Sequence, residues 1–247
     1  MKKVFIFGLG HLGKKVVSVL ESSSSEYKIS ATYRDLNRVL DYQNYNLFKF
    51  CVGDDIPILG AQDEIIFNFP PVQGYLEFLK SSDEMFDPST AWTFISSTSV
   101  FGSGMINEDS EKNGQKKNSH FLIQLEDFLL SLKRRVRIIR PGGLIDEQRL
   151  PGKFLKFKDK LLDSEREINF IHTDDVARFI EHSISNNLNG EYNIVSDTPL
   201  KRREIYLREH PELVCDNLGL ARKISNEKVK QTGYKFKHLD LRDFLGI

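Results

Sequence analysis

An α/β fold built on a doubly wound parallel sheet is predicted by two observations. Apolar runs alternate with helical patterns from Lys3 to Arg140, and the first run leads into Gly8, Gly10 and Gly13, spaced G-x-G-x-x-G at the head of a helix. Such alternation covers a parallel sheet with helices on both faces, and strands buried on both faces read as continuous apolar runs. A chain of 247 residues suffices for one sizeable domain with a small appended lobe.

The elements follow in order. Lys3–Phe7 reads as a buried strand, and Leu12–Leu20 places Leu12, Val16, Val17, Val19 and Leu20 at helical spacing. Ser22–Ser25 is a polar loop, Lys28–Tyr33 a second strand, Leu36–Leu40 a short helix and Tyr45–Phe50 a third strand. Glu64–Asn68 is a fourth strand, stopped by Pro70-Pro71. Gly74–Met85 is helical, Ala91–Ser96 a fifth strand, Ser103–Asn118 a polar loop, Phe121–Leu132 a helix and Arg135–Arg140 a sixth strand. Beyond Pro151 the pattern changes. Phe170-Ile171 is a short apolar step, Thr173 or Asp174 caps a helix to about Ser185, Asn189-Gly190 turns into a strand at Tyr192–Val195, and Lys201–Glu209 is a charged helix. The last forty residues, charged and aromatic, fit a small lobe.

Composition narrows the function. A hydrophobic content of 40% with a formal net charge of +0 argues against a nucleic-acid or membrane-surface protein, both of which carry a basic excess. No apolar stretch approaches the ~20 residues needed to span a bilayer. The Lys pair at the start leads straight into a strand pattern, so no signal peptide is read and a cytoplasmic location is expected. Cys51 and Cys215 are read as reduced thiols.

The glycine spacing points to a dinucleotide. Gly8 permits the tight turn, Gly10 lets backbone approach a pyrophosphate, and Gly13 lets helix and strand pack closely; the helix N-terminus adds free N–H groups and partial positive charge. NAD-specific sites place an acidic residue at the end of the second strand. Here that strand ends Thr32-Tyr33-Arg34, and an Arg there pairs with the 2′-phosphate of NADP; Asp35 follows directly, which keeps NAD open.

Together with Arg34, the run Phe94-Ile95-Ser96-Ser97-Thr98-Ser99-Val100-Phe101-Gly102 resembles the extended short-chain dehydrogenase/reductases, the NAD-dependent epimerase/dehydratase family, whose members carry S-S-x-x-V-Y-G after the fifth strand. Ile106–Ser110 resembles the family's acidic loop, Ile138–Leu144 its sixth strand and turn, and Phe170–Ala177 its F-I-H-x-x-D-V segment. The Phe69-Pro70-Pro71 step and the short length look most like an atypical subgroup. The resemblance implies a Rossmann-like domain over 1–247, with about 145–170 and 196–247 as a small C-terminal substrate lobe. It implies cofactor contacts at Gly8, Gly10, His11, Leu12, Gly13, Arg34, Phe69, Pro70, Ser96 and Pro141, with Asp54 either at the adenine edge or a loop carboxylate. It also implies a small-molecule substrate, a nucleotide sugar or similar polar hydroxyl compound, or none at all, with a homodimer left open.

Family chemistry uses a Tyr base activated by a Lys one helical turn later, since a phenol of pKa about 10 is otherwise a poor base. Ser97 matches the substrate-positioning Ser; its alternative role is to cap a strand end or to bind the phosphate-side loop. With Glu126 fixing the register, Asn118 falls at the Tyr and Leu122 at the Lys, so the pair is missing. His120 is a substitute base by chemistry, but two positions round a helix is about 200°, which turns it away from Ser97. Lys116 and Lys117 read as solvated loop charges. His172, Asp174 and Asp175 read as a turn and helix start rather than a metal site, and no metal is expected. Two functions follow: an oxidoreductase with a replaced base, or a non-catalytic NADP sensor or partner-binding module.

Overall fold

The computed structural model describes every residue except Ser24, Ser25, Gln43, Ile58 and 152–159. Part of the predicted Ser22–Ser25 loop and part of the 145–170 lobe segment therefore lie outside the described residues. In chain order the elements are β1 (Lys2–Phe7), α1 (His11–Ser22), β2 (Tyr27–Tyr33), β3 (Asn46–Lys49), β4 (Glu64–Phe67), α2 (Tyr75–Met85), β5 (Ala91–Ile95), β6 (Gly104–Ile106), α3 (Lys117–Leu130), β7 (Val136–Pro141) and β8 (Gly143–Ile145). They continue with β9 (Lys160–Leu161), β10 (Glu167–Ile168), β11 (Phe170–His172), α4 (Thr173–Ser185), β12 (Gly190–Ile194), β13 (Leu200–Lys201), α5 (Arg202–Glu209), β14 (Val214–Cys215), β15 (Arg222–Ile224), α6 (Glu227–Gln231) and α7 (Arg242–Leu245).

A seven-stranded sheet runs in the order β12-β7-β5-β4-β1-β2-β3. The pairs β1–β2, β2–β3, β1–β4, β4–β5 and β5–β7 are all parallel. This is the predicted α/β architecture. From β1 the chain winds outward through β2 and β3, then returns to β4 and winds the other way, so the order reverses between β1 and β4. In such sheets that reversal opens a crevice at the carboxyl ends of the two strands. Val4–Phe7 and Ile65–Phe67 are fully buried. Phe7 stacks on Phe67 at 5.4 Å and meets Phe78 of α2 edge-on at 5.0 Å, while Trp92 packs on Phe67 at 4.9 Å.

The chain divides into two compact units. One comprises Met1–Ser96, His120–Ile139 and Ala177–Glu191; the other comprises Ser97–Ser119, Arg140–Val176 and Tyr192–Ile247. The second holds small sheets: β8 with β11, β6 with β15 and β9 with β14 in parallel, and β10 with β13 antiparallel. Its core gathers Ile145, Phe170, Leu200, Ile205, Leu241 and Leu245.

The structure revises several boundaries. The predicted helix Leu36–Leu40 is two 3-10 turns, Leu36–Arg38 and Leu40–Tyr42, because exposed Leu36 and Leu40 offer no buried face to sustain a longer helix. The predicted loop Ser103–Asn118 contains β6, whose partner β15 is far away in sequence and leaves no local signal. α3 begins at Lys117, four residues before the apolar periodicity starts. No described helix is long and apolar enough to cross a membrane. Cys51 and Cys215 are free thiols.

One buried ion pair crosses the sheet. Glu64 of β4 and Arg137 of β7 are 2% and 0% exposed and pair directly. Arg137 also donates to Thr93 Oγ1 of the intervening β5 at 3.0 Å and to the carbonyls of Leu188 and Ser183 at 3.3 and 3.4 Å. Burial pushes the Glu64 pKa up, and Arg137 opposes that shift. Removing one partner of a buried pair strands the other charge, so Glu64→Leu is expected to lower stability by about 3–5 kcal/mol in urea denaturation; Glu64→Leu with Arg137→Met should recover most of the loss.

Candidate functional site

The site is built at the reversal of strand order. β1 ends at Phe7, and Gly8 follows with φ +102°, a conformation that L side chains rarely adopt. A Cβ on Gly8 would overlap the Asn68 carbonyl, and one on Gly13 would stand 2.5 Å from the Gly8 carbonyl oxygen. Gly10 differs: no atom lies within 4 Å of where its Cβ would be. Gly8 and Gly13 thus serve close packing, and Gly10 borders open space. The turn is tied down on both sides. Gly8 N–H donates to Thr32 Oγ1 at 2.9 Å, Leu9 N–H to the Thr32 carbonyl at 2.8 Å, and Asn68 Nδ2 to the Gly8 carbonyl at 3.0 Å. Gly10 is the N-cap of α1 and brings no side-chain cap. The first-turn N–H groups of His11, Leu12 and Gly13 have no acceptor within the helix, and the positive helix end lies there.

Phe69 follows β4, its Cβ 3.5 Å from the Cβ position of Gly8, and its ring packs on Tyr75 at 4.4 Å. Pro70 beside it is exposed. At the end of β2, Arg34 is exposed and, among the described residues, has no ion pair or hydrogen bond. Asp35 is engaged: it accepts from Asn37 N–H at 3.1 Å and lies 3.5 Å from Arg38 Nε. Asp54 accepts the Cys51 N–H at 2.7 Å, the contact of a loop carboxylate.

Of the two serines after β5, Ser96 is buried and donates to Glu126 Oε1 of α3 at 2.5 Å. Ser97 accepts the Ser99 N–H at 3.1 Å and caps the 3-10 turn Thr98–Val100. The loop beyond is held by Ser119 Oγ on the Ser99 carbonyl at 2.7 Å and by Thr98 Oγ1 on the Pro141 carbonyl at 3.3 Å. Arg222 spreads its guanidinium over the carbonyls of Gly102 (2.8 Å), Phe101 (3.4 Å) and Thr98. Burial and the neighbouring Arg166 push its pKa down; Lys116 is pushed down by burial and by Arg166 and Arg222. Lys116 is an exposed charge in the loop just before α3. Neither Arg166 nor Arg222 carries a signal in the sequence, because each meets its neighbours only through segments far along the chain.

On α3, Leu122, Leu125, Glu126 and Leu129 are buried, and Asn118 and His120 are exposed. Glu126 points inward and accepts from Ser96. Leu122, only 5% exposed, is a core residue.

The F-I-H segment departs from the sequence reading. Thr173 and Asp174 are already within α4, and Thr173 Oγ1 donates to the Ile145 carbonyl at 3.2 Å. The first-turn N–H of Asp174 instead donates to His172 Nδ1 at 3.2 Å. The Asp175 carboxylate binds the C-terminal turn, accepting from Lys237 N–H at 2.7 Å, His238 N–H at 2.8 Å and Tyr234 O–H at 3.0 Å. Asp175 is thus a clamp, and His238 takes the place beside His172 that the sequence reading weighed for it.

A parallel sheet reversing at β1–β4 beneath a glycine turn defines the class: an α/β protein with a dinucleotide-binding fold. No protein-family model and no curated protein matches the sequence. Among solved structures, the chain is similar to a functionally unknown conserved protein from Silicibacter pomeroyi (TM-score 0.79, 16% identity, covering 100% of this chain and 97% of that one). It is also similar to UDP-N-acetylglucosamine 4-epimerase from Methanobrevibacter ruminantium in complex with UDP-N-acetylmuramic acid (0.71, 15%, 99% and 95%), and to UDP-glucuronic acid 4-epimerase from Bacillus cereus in complex with NAD (0.74, 15%, 98% and 96%). The chain has the fold of these epimerases.

The glycines are expected to separate in their effects. Gly13→Ala forces a Cβ against backbone and should cost about 1–3 kcal/mol of stability. Gly10→Ala meets nothing and should stay within about 0.5 kcal/mol of the parent. Thermal or urea unfolding of the two variants checks the contrast.

Proposed function

We propose that the protein binds a nicotinamide dinucleotide at the Gly8–Gly13 turn, prefers NADP, and keeps an epimerase/dehydratase-like pocket for a phosphate-bearing polar hydroxyl compound such as a nucleotide sugar. The observation that carries the reading is the open space at Gly10 against the uncapped end of α1, where Gly8 and Gly13 are occupied by packing. Backbone N–H groups of His11 and Leu12 would hold the pyrophosphate, with Pro70 and Ser96 of the same unit lining the rest of the cofactor path. Phe69 packs toward the ring end. Arg34, with no partner of its own, supplies a charge-assisted contact to a 2′-phosphate, while Asp35 is turned to its own loop. When bound, the nicotinamide supplies hydride exchange at a carbinol carbon. The Lys116, Arg166 and Arg222 cations favour an anionic substrate, which agrees with the nucleotide-sugar chemistry in the names of the similar epimerases.

A second reading rests on α3. An exposed amide at Asn118 and a buried alkyl chain at Leu122 take no proton from a substrate hydroxyl. A pocket that keeps the dinucleotide and lacks the base fits a sensor or partner-binding module.

Titration with NADPH and NADH, followed by a nucleotide-sugar panel, tests both. NADPH is expected to bind more tightly than NADH. Arg34→Ala should weaken NADPH roughly tenfold or more and leave NADH nearly unchanged, and Gly10→Val should abolish binding of both while the protein stays folded. Undiminished binding by a folded Gly10→Val protein defeats the dinucleotide reading. Hydride transfer and epimerisation by the parent protein are expected to be very slow or absent. Robust turnover that disappears in His120→Ala defeats the second reading and makes His120 the base.

A further inference from the structure

His172 ends β11, Asp174 lies in the first turn of α4, and His238 lies in the C-terminal turn that Asp175 clamps. Fold contacts bring them together: one ligand atom from each lies within 4.8 Å of the others. The two imidazoles stack with centroids 3.9 Å apart and planes at 28°, and Phe244 closes one side edge-on to His172 at 5.0 Å. The His172 side chain is fully buried, and Nε2 of both histidines is buried without a hydrogen-bond partner among the described residues. Buried polar atoms left without partners are rare in folded proteins and point to a missing ligand, ion or water.

The tautomer of His172 is already the one a metal ligand needs. Its Nδ1 accepts an N–H, so the neutral ring carries its proton on Nε2. Nε2 lies 3.8 Å from the Glu147 carboxylate. A ligating histidine commonly donates its other ring N–H to a carboxylate, which orients the ring and raises its basicity.

We propose that His172 Nδ1, the Asp174 carboxylate and an imidazole nitrogen of His238 bind one divalent transition-metal ion of the zinc class, with Glu147 supporting His172 from behind. Two imidazoles and one carboxylate suit zinc, cobalt or ferrous iron and not magnesium or calcium, which take mainly oxygen ligands. Donors around a tetrahedral ion stand about 3.4 Å apart, given metal–ligand bonds of about 2.1 Å. Binding therefore draws Asp174 inward, exchanging its 3.6 Å contact with Lys237 Nζ and the 3.2 Å Asp174 N–H bond to Nδ1 for coordination. Three protein ligands leave one position for water. The ion would fasten the start of α4 to the C-terminal turn, adding to the Asp175 clamp. This site does not rest on the dinucleotide reading.

The test uses the full chain stripped of metal by chelation and titrated with Co²⁺. One Co²⁺ per chain is expected, with the visible d–d absorption of a low-coordinate site, displaced by Zn²⁺ and unaffected by Mg²⁺. His238→Gln and Asp174→Asn, each confirmed folded by circular dichroism, should lose that absorption, and Glu147→Gln should weaken binding roughly tenfold. Absence of the band in the parent overturns the site, as does its persistence in either variant, which marks an adventitious ion only. A measurement that needs no variant backs this up. Zn²⁺ must shift the side-chain ¹⁵N resonances of His172 and His238, and unchanged resonances overturn the site even if a variant fails to fold.

Discussion

The first unit depends on one close approach: Gly8, Gly13 and the Asn68 backbone meet with no room for a Cβ at either glycine. That approach sets how tightly α1 lies on β1 and how near β4 comes to the turn. It also directs the first N–H groups of α1 at the space beside Gly10. Thr32 and Asn68 complete the constraint by bonding the turn from β2 and β4, the strands on either side of β1. Gly10, where no atom lies within 4 Å of a Cβ position, is the part of the turn that packing leaves open.

The buried Glu64–Arg137 pair plays a different part. It places two charges among strands that otherwise read as apolar, and with Thr93 it links β4, β5 and β7 through side chains as well as backbone. Such a pair adds little net stability over an apolar replacement. What it does supply is a penalty for any register that would separate its partners.

In the second unit, polar side chains fasten loops that lack long strands. Arg222 gathers three carbonyls of the loop after β5, and Asp175 gathers two backbone N–H groups and a hydroxyl of the C-terminal turn. These contacts place Ser97 and His238, so the chemistry available there depends on hydrogen bonds between segments widely separated in the chain. On α3, meanwhile, Leu122, Leu125 and Leu129 are core residues.

By itself the sequence determined the parallel α/β fold, the glycine turn and the apolar face of α3. Each is a local matter: a run of apolar residues, a glycine spacing or a helical register is set by residues within one or two turns of one another. Tertiary structure alone decided that Ser97 caps its own turn, that β6 is a strand, that Arg222 and Arg166 stand with Lys116, and that His238 joins His172 and Asp174. Their partners lie far along the chain, where no periodicity links them, and only folding brings a hydrogen-bond donor, a like charge or a second imidazole within range.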